Sequence, residues 1–151
     1  MHVTVRGNRR ERIVRTTADA QTLVNLIHGE QLDLHAWCLM PNHLHLVVDA
    51  RIERLGKAMA AINGRYAQWF NRKYGLTGRL FESRYKAKPI ADEAHLHRSI
   101  VYVLMNPVEA KLCRHPSEWP WCNYDEVARD PNLRTSIDEA VRELHDREAG
   151  S

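Results

Sequence analysis

The chain has 151 residues, 44% of them hydrophobic and 27% charged, enough for one domain with its own core and unlike a disordered or low-complexity polymer. Its formal net charge is +3, and no apolar run is long enough to span a bilayer, which excludes a membrane partner and reads as cytoplasmic. Cys38, Cys113 and Cys122 are odd in number and contain no Cys-x-x-Cys, so neither a disulfide framework nor a zinc ribbon is indicated.

Residues 2–6 alternate and predict a short strand, closed by Gly7-Asn8. Arg9, Arg10, Arg12 and Arg15 then load the chain with positive charge. Ala18 to His28 carries Leu23, Leu26 and Ile27 at helical spacing, with Gly29 as the stop. Leu32 to Met40 returns to strand chemistry. Pro41-Asn42 turns the chain, and His43 to Asp49 runs back beside it, so the two strands pair antiparallel.

Glu53 to Tyr74 predicts a long amphipathic helix, with Leu55, Met59, Ile62, Tyr66 and Phe70 on its apolar side. Arg54, Lys57, Arg65 and Arg72 fall largely on the opposite side. Between Arg51 and Lys88 the only acidic residues are Glu53 and Glu82. A basic middle of this kind suits a polyanion, and Arg54, Lys57, Arg65, Arg79, Arg84, Lys86 and Lys88 are the candidate phosphate contacts. The plain alternative is a solvated helix face. A strand over about 85–90 follows.

Asp92 caps a helix over 93–105. Asn106-Pro107-Val108-Glu109 has the pattern of a second helix start, with Asn as N-cap, Pro at N1 and Glu at N3, and a short helix to about Leu112. Trp119, Trp121 and Tyr124 belong to an aromatic loop packed on the core. A last helix over 136–145 begins with a Ser136/Glu139 capping box. The order strand, helix, strand, strand, helix, strand, helix predicts an α+β fold: a ferredoxin-like antiparallel sheet with helices packed on it.

The chemistry concentrates around His43-Leu44-His45. Strand side chains alternate, so both imidazoles share one face and form a metal half-site. The bland reading is two polar residues on a wet strand face. Tyr102 and Asn106 lie one helical turn apart on one face. If the histidines hold a metal, Asn106 can add an amide oxygen, and two imidazoles with hard oxygens suit Mg2+ or Mn2+. Tyr102 would then stand beside the metal as nucleophile. A free tyrosine has a pKa near ~10, so it needs a nearby cation or base to act.

These residues resemble a known family. His43-Leu44-His45, after Leu39-Met40-Pro41-Asn42, resembles the "HUH" motif of single-tyrosine transposases, closest to the REP-associated branch. Residues 3–8, 78–86, 102–108 and 120–124 resemble that branch too, in the same order. The resemblance implies His43, His45 and Asn106 as metal ligands and Tyr102 as nucleophile. It implies cleavage and rejoining of single-stranded DNA, often beside a hairpin, through a 5′-phosphotyrosine. It covers the chain to about Tyr124, so residues 1–125 are expected to form this domain and residues 126–151 a C-terminal helical tail of it. There are two departures. The first strand opens almost at Met1, as a truncated or misassigned start would, and the tail after Asp130 has no counterpart. The partner expected is single-stranded or hairpin DNA, with the protein a monomer or homodimer. The alternatives are a rolling-circle initiator or relaxase, and a non-catalytic nucleic-acid-binding module on the same fold. The Asn-Pro-Val block and small size disfavour the first; the intact His43, His45 and Tyr102 disfavour the second.

Overall fold

The first strand sets the two faces of the sheet. In the computed structural model, which describes residues 1–151, β1 (His2–Arg6) buries Val3 and Val5 and turns His2, Thr4 and Arg6 the other way. β2 (Asp33–Met40) and β3 (His43–Asp49) form the hairpin expected around Pro41-Asn42. β3 also pairs with β1, which puts Thr4 opposite His45 and Arg6 opposite His43. A short strand, β4 (Lys86–Lys88), lines the free edge of β1. The strands stand in the order β2-β3-β1-β4 and are all antiparallel. With the helices on both faces, this is the expected α+β, ferredoxin-like arrangement.

On one face lie α1 (Thr17–Gly29) and α2 (Ile52–Tyr74), packed over Val3, Val5, Leu44, Leu46 and Val48. Thr16 and Asp19 form a capping box at the start of α1, and Gly75 ends α2 in the left-handed region at φ 62. The opposite face is covered by α3 (Glu93–Glu109) and the short α4 (Tyr124–Val127), and α5 (Pro131–Ala149) packs on α3. There Ile100, Val103, Leu104, Ile137, Val141 and Leu144 pack on Ala36, Cys38, Met40 and Val47. With both faces covered, β3 is buried without interruption from Leu44 to Val48, and His45 is the polar residue within that run. The aromatic loop packs as expected: Trp119 Nε1 donates to the Leu39 carbonyl at 3.0 Å, and Trp121 accepts from the Leu39 N–H at 2.8 Å.

Three elements depart from the sequence expectation. Asn106 is not an N-cap, because α3 runs on through Pro107 to Glu109. Proline removes the N–H that Val103 would receive. The Asn106 amide supplies donors in its place, at 3.0 Å to the Tyr102 carbonyl and 3.3 Å to that of Val103. The last helix begins at Pro131, not at Ser136, because Asp130 accepts from Asn132 N at 2.9 Å and proline takes the first turn. Ser136 is left inside the helix and pairs with His97 Nε2 at 2.8 Å. The fourth strand spans only Lys86–Lys88, all exposed, as suits a charged edge that ends before Pro89. No helix is long and apolar enough to cross a membrane.

Candidate active site

His43 and His45 share the sheet face that α3 covers, so the same packing that buries β3 carries α3 side chains to them. Their rings lie 4.8 Å apart and nearly perpendicular, at 85°. His43 Nδ1 is 2.6 Å from Asn42 Oδ1. An amide oxygen only accepts, so Nδ1 carries the proton and Nε2 keeps its lone pair. Asn106 stands near the His43 ring on α3 and works against the burial that lowers the His43 pKa. Both donor hydrogens of Asn106 face its own helix carbonyls, which leaves Oδ1 as an acceptor available to a cation.

Tyr102 stands one turn before Asn106. Its ring centre is 5.8 Å from that of His45, and the residue is 58% exposed. A large aromatic left this open, beside a buried histidine, is available to a ligand and not spent on the core. It borders a cleft of about 400 Å³ whose other walls include His2, Thr4, Arg6, Arg10, Arg84, Lys86 and Lys88. Glu82 is the one acidic side chain there. On its far side Tyr102 also borders, with Asn106, a groove of about 620 Å³ between α3 and α5.

The local field keeps the imidazoles neutral. Burial pushes the His45 pKa down to about 3, helped by His43, His2 and Arg6. Burial also lowers His43, with Arg6 adding to it and Asn106 opposing. His2 is lowered by burial and then by Lys88, the chain amino group and His95. Neutral imidazoles offer the lone pairs that a metal needs. No three His, Cys, Asp or Glu side chains converge with metal-binding geometry, so a cation here would take two imidazoles and the Asn106 amide oxygen. That donor set fits a divalent cation that keeps open positions for phosphate oxygens.

The structure brings His43, His45, Tyr102 and Asn106 together, and puts Arg84, Lys86 and Lys88 in the cleft beside them. Arg54, Lys57 and Arg65 lie elsewhere, exposed on α2 against the opposite face of the sheet. Arg54 is engaged there with the Glu30 carboxylate at 3.5 Å and with the Glu30 carbonyl. Arg79 borders a groove between α2 and the 78–85 segment, which meets the cleft at Ser83 and Arg84. Sequence reasoning missed His2, Thr4, Arg6 and Arg10. The polar alternation of His2, Thr4 and Arg6 was a signal, but their side of the sheet depends on the β1–β3 register.

Comparison with known proteins identifies the family and the fold. Residues 1–104 match the family described as IS200-like transposases. Among solved structures, a REP-associated tyrosine transposase bound to a REP hairpin is similar, with a TM-score of 0.64, 20% identity, and coverage of 86% of this chain and 79% of that one. At that identity the likeness speaks for the fold. No curated protein matches the sequence. The match over more than two-thirds of the chain, together with the fold, shows that this chain belongs to the IS200-like transposase family.

Proposed function

We propose that the protein is a DNA transposase that cleaves and rejoins single-stranded DNA through a covalent bond to Tyr102. Tyr102 Oη attacks the scissile phosphorus and gives up its proton. The P–O3′ bond breaks, the departing 3′ oxygen takes up a proton, and a 5′-phosphotyrosine remains. Attack by a 3′-hydroxyl reverses the step, so no nucleotide cofactor is consumed. His43, His45 and Asn106 would hold a divalent cation, Mg2+ or Mn2+, which would supply polarisation of the phosphate and stabilisation of charge on the departing oxygen. Arg6, Arg10, Arg84, Lys86 and Lys88 hold the flanking phosphates and orient the strand.

The observation that carries this reading is the position of the exposed Tyr102 ring, 5.8 Å from His45 at the edge of a cationic cleft. A cleft of about 400 Å³ lined by five cationic side chains has room for a stretch of one strand beside Tyr102. The similar transposase binds a REP hairpin, which supports a hairpin beside the cleavage point as the substrate here. Labelled single-stranded oligonucleotides carrying a hairpin test the proposal. Cleavage should require Mg2+ or Mn2+ and fail in His43→Ala. Cleavage of equal rate in EDTA, or in His43→Ala, would remove the metal from the mechanism.

A further inference from the structure

The buried His45 has one ring nitrogen occupied before any ligand arrives. His45 Nδ1 lies 3.0 Å from His2 Nε2, and Thr4 Oγ1 is the next polar neighbour at 3.4 Å. His2 sits at the start of β1, on the same sheet face, and its ring also meets Tyr102 edge-on at 5.7 Å. Two neutral imidazoles that approach through nitrogens share one proton between those atoms, and which ring owns it decides what His45 can do. If His2 Nε2 carries the proton, neutral His45 is protonated at Nε2 and presents no lone pair to a ligand. If His45 Nδ1 carries it, Nε2 is free to ligate. His43 has its own proton settled by Asn42 Oδ1 at 2.6 Å, but His45 has no amide or carboxylate at Nδ1.

We propose that His2 is a positioning residue that accepts the His45 Nδ1 proton through its own Nε2, fixing His45 in the tautomer and ring orientation that leave Nε2 for the metal. This rests on the metal reading of His43 and His45. A hydrogen-bond acceptor behind a ligating imidazole raises its basicity and stops it from turning, and losing such a partner costs about 10–100-fold in metal affinity. A glutamine at position 2 can still accept through Oε1; a leucine fills similar space and cannot.

The test uses the full chain with His2→Leu and His2→Gln. Long-range 1H–15N NMR of the metal-free protein reads which nitrogen of His45 carries the proton. Mn2+ titration by calorimetry reads affinity without any need for cleavage. The wild type should show His45 protonated at Nδ1. His2→Leu should bind Mn2+ at least about tenfold more weakly, and His2→Gln should recover most of that loss. Equal Mn2+ affinity in His2→Leu, or a His2→Gln as weak as His2→Leu, overturns the proposal, the second because it assigns the effect to packing. Nε2 protonation of His45 in the wild type overturns it as well. A wild-type protein that binds no Mn2+ overturns the metal reading beneath it, and the NMR result still decides the tautomer.

Discussion

At the scale of single residues, the site depends on keeping imidazoles uncharged inside the fold. His45 is 5% exposed, with its pKa pushed down to about 3, while an unfolded histidine titrates near ~6.5. The unfolded chain therefore binds a proton that the native state refuses over that whole interval. Stability is fully present above about pH 6.5 and falls as the pH drops toward 3, by about 1.4 kcal/mol per unit for this one group. His43 and His2 are lowered as well and act in the same direction. Urea unfolding at pH 7 and pH 5 should differ by about 2 kcal/mol on account of His45. His45→Gln, which cannot protonate, should flatten that difference; an unchanged slope in the variant would contradict the assignment.

Among the elements, α3 joins folding to chemistry. It crosses the sheet because Ile100, Val103, Leu104 and Val108 pack on β2 and β3, and that packing carries Tyr102 and Asn106 to the histidines. Pro107 inside the helix opens its hydrogen-bond ladder where Asn106 closes it. One side chain thus repairs the helix with its nitrogen and keeps its oxygen free of the helix. Asn106→Leu should lose about 1 kcal/mol of stability, read by urea melting, and should lose metal-dependent cleavage well beyond that cost. A variant that melts lower but cleaves at the wild-type rate would confine Asn106 to its structural role. The sequence pointed to these two residues because i and i+4 must share a helix face. It misread Asn106-Pro107 as a new start because cap chemistry and a repaired proline gap use the same two residue types. The histidine pair was legible for a similar local reason, the two-residue period of a strand. His2, Arg6 and Arg10 were not, because cross-strand register and loop path are tertiary facts. The Ser136 capping box had the right local pattern, and Asp130-Pro131 outcompeted it upstream.

Across the whole molecule, positive charge is divided between two faces. The cleft on the α3 side holds Arg6, Arg10, Arg84, Lys86 and Lys88, while Arg54, Lys57 and Arg65 ride on α2 behind the sheet. Arg79 and Arg84 border the groove that leads from the cleft toward α2. A strand bound at Tyr102, as proposed, would meet the first set, and only a longer substrate, such as the stem of a hairpin, would reach the second. Replacing Arg84, Lys86 and Lys88 by alanine should weaken binding of a short single strand and reduce its salt slope by about 2. Neutralising Arg54, Lys57 and Arg65 should spare the short strand and weaken the hairpin. Equal losses on both substrates for both variants would contradict this division. The basic stretch was legible as composition, but its partition between two faces follows from α2 packing on the side of the sheet away from His45.

The proposed function stands on a covalent bond between Tyr102 and DNA. Mass spectrometry of the protein after incubation with a hairpin-bearing single strand and Mn2+, digested and mapped, measures it directly. A 5′-phosphotyrosine is expected on the peptide containing Tyr102 in the wild type, and no adduct in Tyr102→Phe, which keeps the ring and its packing. An adduct that persists in Tyr102→Phe, or one mapped to Tyr66, Tyr74 or Tyr85, would contradict it.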